Sequence, residues 1–180
     1  MRASGVIMNM RTKSLYPYGG THCVVDIFGY STKGLPGIEI VGLGKHSRSL
    51  KEKFIFLSRE RKLKFPLRRY VLCIEGEMES KKFKAEEYRY LELPLLIMLW
   101  SLTGHLPLER LEDCFAAGKV SVEGDVDPLE LTSLHQEQLA EIFGFDDEQA
   151  LRIIAPLKMK VDEKHYHLPV EGLFASLLNH

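Results

Sequence analysis

Apolar positions fall in short alternating runs early in the chain and in longer helical stripes later. His22-Cys23-Val24-Val25-Asp26-Ile27-Phe28 predicts a strand. Gly29 to Gly37 is a turn region, ending in Gly34-Leu35-Pro36-Gly37. Ile38-Glu39-Ile40-Val41 predicts a second, short strand, which Gly42-Leu43-Gly44 breaks. Leu50, Phe54 and Leu57 recur at helical spacing, so a helix is predicted from about Ser49 to Lys62. Ser49 and Glu52 stand at capping-box spacing at its start. Arg48, Lys51, Arg59 and Lys62 fall on another of its faces. Pro66 follows, and Arg69 to Glu75 predicts a strand.

Residues 76–92 are charged and resist assignment. Pro94 suits the first turn of a helix whose buried body is Leu95 to Leu102, and Gly104 ends it. Leu108 and Leu111 suggest a helical turn. Cys114 to Val122 reads as a strand, with Glu123-Gly124-Asp125 as a hairpin turn. After Pro128 the pattern becomes helical. Amphipathic helices are predicted over about 130–143 and 147–155, the second opened by Asp146 and Gln149 at capping-box spacing and stopped by Pro156. Leu157 to Val161 reads as a strand. Val170, Leu173, Phe174, Leu177 and Leu178 mark a terminal helix. The fold class is therefore α/β (α+β): a mixed sheet with packed helices over 1–128, and a mainly helical extension over 129–180 packed on it.

Composition narrows the class. The 180 residues are 45% hydrophobic and 27% charged, with no low-complexity run, which suits a folded domain and argues against disorder. The longest apolar run, Leu93 to Trp100, is far short of the ~20 residues of a spanning helix. Met1-Arg2-Ala3-Ser4-Gly5 leads into no signal-like apolar stretch. A cytoplasmic protein away from the membrane is expected. Cys23, Cys73 and Cys114 are too far apart for a zinc site and read as reduced core residues.

The net charge of −1 conceals an asymmetry. Residues 45–69 carry ten Lys and Arg against two Glu, and residues 105–180 carry six against fifteen Asp and Glu. The basic segment could contact phosphates without sequence preference, pair with the acidic part, or form a solvated helix face.

The stretch Val41 to Ser47 imitates a Walker A loop, G-x-x-x-x-G-K-[ST], between a strand and a helix. Glu39 stands where the first glycine belongs, and His46 where the hydroxyl that binds magnesium belongs. Gly42, Gly44 and Lys45 are left as a candidate weak anion site at a helix N-terminus. His165 and His167 share strand spacing but lack a third ligand, so they read as surface histidines. Glu75, Glu77 and Glu79 alternate like the solvent face of an edge strand. Ile142-Phe143-Gly144-Phe145 with Ala150 to Ile154 faintly resembles a helix-hairpin-helix, but the acids at 146–148 oppose phosphate, and a structural helical pair is expected. No catalytic residue, metal ligand, cofactor or small-molecule substrate is assigned.

Four motifs occur in a familiar order. They are Gly34-Leu35-Pro36-Gly37 with Ile40-Val41-Gly42-Leu43; Lys64-Phe65-Pro66-Leu67-Arg68-Arg69; Glu92-Leu93-Pro94; and Ala117-Gly118-Lys119-Val120-Ser121-Val122-Glu123-Gly124. Over about residues 20–128 the chain resembles the N-terminal domain of the ComM/YifB-type, magnesium-chelatase-like proteins. The resemblance implies a fold similar to the proteolytic domain of Lon and to one domain of a ribosomal protein. It also implies kinship with a domain that precedes a DNA-processing AAA+ ATPase. Glu75-Gly76-Glu77-Met78-Glu79 replaces the family's N-L-A-P-A-D, and Glu87-Tyr88-Arg89-Tyr90-Leu91 replaces its glycine-containing turn.

A Lon-type Ser–Lys pair would need a serine near Arg89. The nearest are Ser80 and Ser101, and Lys119 stands where the family has an acid. The expected function is a non-enzymatic interaction or assembly module that self-associates or docks on a protein partner. The alternatives are a sequence-independent DNA binder using Arg48, Lys51, Arg59, Lys62, Arg68 and Arg69, and a degenerate enzyme on the Lon-like scaffold.

Overall fold

In the computed structural model, residues 6–18, 20–76, 86–146 and 148–177 are described. A four-stranded sheet carries the N-terminal half. Strand β1 (Val6–Tyr18) pairs antiparallel with β2 (Thr21–Thr32), and β2 pairs antiparallel with β4 (Arg69–Gly76). The edge strand β3 (Gly37–Val41) lies parallel to β4, giving the order β1-β2-β4-β3. Alternation sets the inner face: Val25, Ile27, Gly29 and Ser31 of β2 are buried, whereas Val24, Asp26 and Phe28 are exposed.

Parallel pairing requires a crossover between β3 and β4, which α1 (Ser47–Glu60) supplies. Its buried stripe is Leu50, Phe54, Leu57 and Ser58. The helix starts two residues earlier than the capping-box spacing predicts. A 3-10 turn over Gly44–His46 feeds directly into it, and Ser49 Oγ donates instead to the His46 carbonyl at 3.1 Å. Helix α2 (Glu92–Leu102) is buried along its whole length. This explains its unbroken apolar run, since a helix covered on all sides needs no polar face. Gly29 permits its close approach to β2: a Cβ there would lie 2.7 Å from the Met98 sulfur. Trp100 of α2 is fully buried and donates its indole N–H to Ser58 Oγ at 2.9 Å.

The C-terminal half departs from its expected form. The predicted strand Cys114–Val122 divides into β5 (Cys114–Ala116) and β6 (Gly118–Val120), and β6 forms the expected hairpin with β7 (Val126–Pro128). Helix α3 (Ser133–Ile142) is present, capped by the Thr132 hydroxyl. The helix predicted over 147–155 is not formed; Arg152–Ala155 is strand β8. Asp146 and Gln149 do exchange capping bonds, the Asp146 N–H to Gln149 Oε1 at 3.0 Å and the Gln149 N–H to the Asp146 carbonyl at 3.2 Å, but these close a turn. β8 lies between β5 and β9 (Tyr166–Pro169) in a parallel three-stranded sheet, and Ile153, Ile154 and Ala155 are buried. A strand buried on both faces shows a continuous apolar run that periodicity cannot separate from a short helix.

Leu157–Val161, expected as a strand, is a loop that Pro156 begins. Helix α4 (Val170–Ala175) ends sooner than its stripe suggests, and Leu178 lies outside the described residues. Residues 129–180 thus contribute two strands as well as two helices. Their sheet includes β5, so it crosses the boundary drawn at 128.

The three cysteines are free. Cys114 is buried, and burial pushes its thiol up to about 12. Cys23 and Cys73 are half-buried. Native-state alkylation at roughly pH 8 is expected to modify Cys23 well before Cys114, with Cys114 at least about a hundredfold slower, because the thiolate is the nucleophile. Peptide mapping of the alkylated protein checks this order, and equal rates would contradict it.

Candidate interaction site

Of the basic residues singled out from the sequence, Arg48, Lys51 and Arg59 lie on α1 beside β3 and Arg68 and Arg69 lead into its neighbour β4, whereas α1 ends at Glu60 and leaves Lys62 beyond it with φ +55, off the predicted helix face. Gly37 donates its N–H to the Arg68 carbonyl at 3.2 Å, in a register that places Gly37 opposite Arg69. In a parallel ladder alternate residues face the neighbour. Glu39 and Val41 therefore also turn toward β4, and Ile38 and Ile40 turn their N–H and C=O groups to the open side. No strand among the described residues pairs there.

One flank of α1 borders this edge. At 100° per residue, Arg48, Lys51, Ile55 and Arg59 share it. Between that flank, β3 and residues 63–68 lies a groove of about 300 Å³. Ile38, Ile55, Phe65 and Pro66 line it, and Arg59 and Arg68 stand in its wall. Two leucines project from adjoining loops, Leu35 at 88% exposure and Leu67 at 83%.

The six predicted phosphate-contacting residues are therefore not equivalent. Arg48, Lys51, Arg59, Lys62 and Arg68 have no ion pair among the described residues. Arg69 does: its Nε and Nη2 donate to Glu39 Oε1 and Oε2 at 3.0 and 2.7 Å. This fork holds the Glu39 carboxyl below its ordinary range, with Lys51 adding to the effect, and raises Arg69. Elsewhere in the basic segment, Arg61 stacks over Trp100 and Phe174 at 5.7 Å from each ring. Lys53 turns inward to Glu92.

The imitation phosphate loop is built around packing. Gly42 adopts φ +107, and a Cβ there would lie 2.3 Å from the Ile74 carbonyl oxygen. Gly44 has φ +55, and Lys45 beside it is exposed. His46 stacks on Tyr88 with centroids 3.9 Å apart. Burial, then the charge of Lys45, lowers its pKa.

Sequence reasoning missed the most connected charged group. Glu92 is 2% exposed at the first turn of α2. It accepts from Lys53 Nζ at 2.7 Å, from Arg89 Nε at 3.2 Å and from the Val120 N–H at 3.0 Å. The position is visible in Glu92-Leu93-Pro94, and Arg89 stands at local i, i+3 spacing from it, but its other two partners come from α1 and β6, which no local spacing reveals.

Other candidates have structural surroundings. Ser101 Oγ donates to the Ile97 carbonyl at 2.6 Å within α2, and Lys119 lies 5.0 Å from the Tyr90 ring. Ser80, Glu77 and Glu79 fall outside the described residues. Glu75 is exposed on β4. The expectation that His165 and His167 are surface histidines on one strand fails for His165, which precedes β9. His165 is buried, with Nδ1 accepting from the Leu151 N–H at 3.2 Å and Nε2 facing the Gln136 carbonyl at 3.2 Å. His167 Nε2 meets the Ala155 carbonyl at 2.9 Å. Among the described residues no cluster of His, Cys, Asp and Glu could hold a metal, and no helix is long and apolar enough to cross a membrane.

A larger cavity of about 640 Å³ lies over β1 and β2. Its charges offset one another: Lys13 pairs with Asp26, and Arg11 faces a lining that also includes Glu75 and Glu112. The β3 groove differs in presenting Arg59 and Arg68, which have no ion pair among the described residues, beside exposed apolar side chains. No family model matches the chain, and no curated protein matches it.

Proposed function

We propose that this protein is a non-enzymatic interaction module that docks on a protein partner through the face formed by β3, α1 and the 61–68 connection. The observation that carries this reading is the exposure of Leu35 and Leu67 in the two loops that lead into the parallel neighbours β3 and β4, with Leu67 itself lining an apolar groove. Exposed large apolar side chains grouped beside a concavity favour protein contact, whereas scattered ones carry no such meaning. The resemblance to the N-terminal domain of ComM/YifB-type proteins supports the same reading, with a DNA-processing assembly as the setting and the cytoplasm as the compartment.

A photo-reactive residue in place of Leu67 tests it. Illumination in the host cell is expected to give a discrete protein adduct. The same residue in place of Leu157, exposed on the C-terminal half, should give none. Equal adducts from both positions, or none from Leu67, would remove the reading. Direct DNA binding is the second reading, favoured by Arg48, Lys51 and Arg59 sharing one helix flank. It requires an affinity that falls steeply with salt and drops when Arg59 and Arg68 are neutralised.

A further inference from the structure

We infer that the free edge of β3 accepts an extended acidic segment of a partner protein as an added strand. This rests on the docking reading above and specifies its geometry and ligand chemistry.

Two observations favour such an occupant over a helix or a nucleic acid. The first is the edge itself. Ile38 and Ile40 turn backbone groups to the open side that have no strand partner among the described residues, and such groups pair with an extended main chain. The second is the distribution of charge. Successive side chains of an added strand alternate between faces. Those on the α1 side reach Lys51, Arg59 and Arg68, which have no ion pair among the described residues. Those on the other side lie beside Val41, which is half exposed, and beside the Glu39–Arg69 pair on the same face. The carboxylate nearest the edge, Glu39, is already engaged by Arg69 and so opposes an acidic ligand less. Carboxylates on one face and apolar side chains on the other match these surroundings. A nucleic acid would use the cations and leave the edge amides and Val41 unmatched.

The test uses the full chain and a fluorescent, end-capped decapeptide alternating valine and glutamate. Anisotropy should show binding with Kd on the order of 10–100 µM, as fits a short flexible ligand. The same peptide with lysine for glutamate should not bind. Combined Arg59→Glu and Arg68→Glu should weaken binding about tenfold or more. These side chains make no ion pair among the described residues, and an unchanged thermal midpoint confirms that the variant is folded.

Two N-methylated versions of the peptide report on the backbone. Methylation of one alternate set of amides should abolish binding, and methylation of the other should leave it intact, because only one set faces β3. Equal binding by both would overturn strand addition, as would no binding by the unmethylated peptide at millimolar concentration. A duplex oligonucleotide that binds more tightly than the peptide, and is lost with the same two substitutions, would overturn it in favour of nucleic acid. Failure of the peptide alongside a discrete Leu67 adduct would remove the strand and keep the docking surface.

Discussion

Glu92→Ala is expected to lower the free energy of unfolding by about 3–5 kcal/mol, because it leaves buried charges uncompensated. The carboxylate is 2% exposed and joins three elements: Lys53 of α1, Arg89 before α2 and the Val120 N–H of β6. Removing it takes the counter-charge from the ammonium of Lys53, whose side chain is 18% exposed and which keeps its bond to the Val120 carbonyl at 3.1 Å, and leaves the buried Val120 amide without its acceptor. The position of Glu92 in the first turn of α2 adds a favourable interaction with the helix dipole that is lost as well.

Companion substitutions separate the contributions. Glu92→Gln retains an acceptor for the Val120 N–H and removes the charge, so its loss should be smaller than that of Glu92→Ala. Lys53→Met keeps the apolar stem of the lysine. If the Lys53–Glu92 pair is coupled, Glu92→Ala in the Lys53→Met background should cost measurably less than in the native protein. Urea unfolding followed by circular dichroism gives these numbers. A Glu92→Ala loss below about 1 kcal/mol would place it among ordinary surface changes and contradict the network.

The same residue shows what was and was not legible in the sequence. Strands β2, β3 and β4, helices α1 and α2 and the β6–β7 hairpin were all readable, because each carries a local period or a turn signal. Strand β1 was not. Its inward positions include Thr12 and Ser14, whose hydroxyls donate to the Cys114 and Ala116 carbonyls at 2.7 Å each. Polar side chains that satisfy a neighbouring strand's backbone erase the apolar alternation that announces a strand.

β8 was misread for the converse reason. Leu151, Ile153, Ile154 and Ala155 are all buried, and a capping pair stands just upstream. At the candidate site, the run of cations was visible but not its division. Arg69 is taken up by Glu39, Lys53 by Glu92 and Arg61 by Trp100 and Phe174, in pairings set by the tertiary fold.

Gly42→Ala is expected to cost roughly 3 kcal/mol or more, with no phosphate involved. Two independent penalties contribute. A non-glycine residue held at φ +107 costs about 1–3 kcal/mol. The added methyl would also lie 2.3 Å from the Ile74 carbonyl oxygen, and relieving such overpacking costs about 1–3 kcal/mol more. The obstacle is backbone, so no rotamer change relieves it, and β3 must move away from β4.

Gly44→Ala provides the comparison. Gly44 has φ +55 with nothing within 4 Å of its Cβ position, so it bears only the conformational penalty and should lose less. A loop whose glycines cradled an anion would behave differently, since both substitutions would then weaken the response of stability to added phosphate. Thermal unfolding with and without phosphate distinguishes the two. The packing role predicts that Gly42→Ala costs more than Gly44→Ala and that phosphate stabilises neither variant differently from the native chain. Equal losses for the two glycines, or a phosphate-dependent stabilisation that both substitutions abolish, would return the stretch from Val41 to Ser47 to the role its sequence imitates.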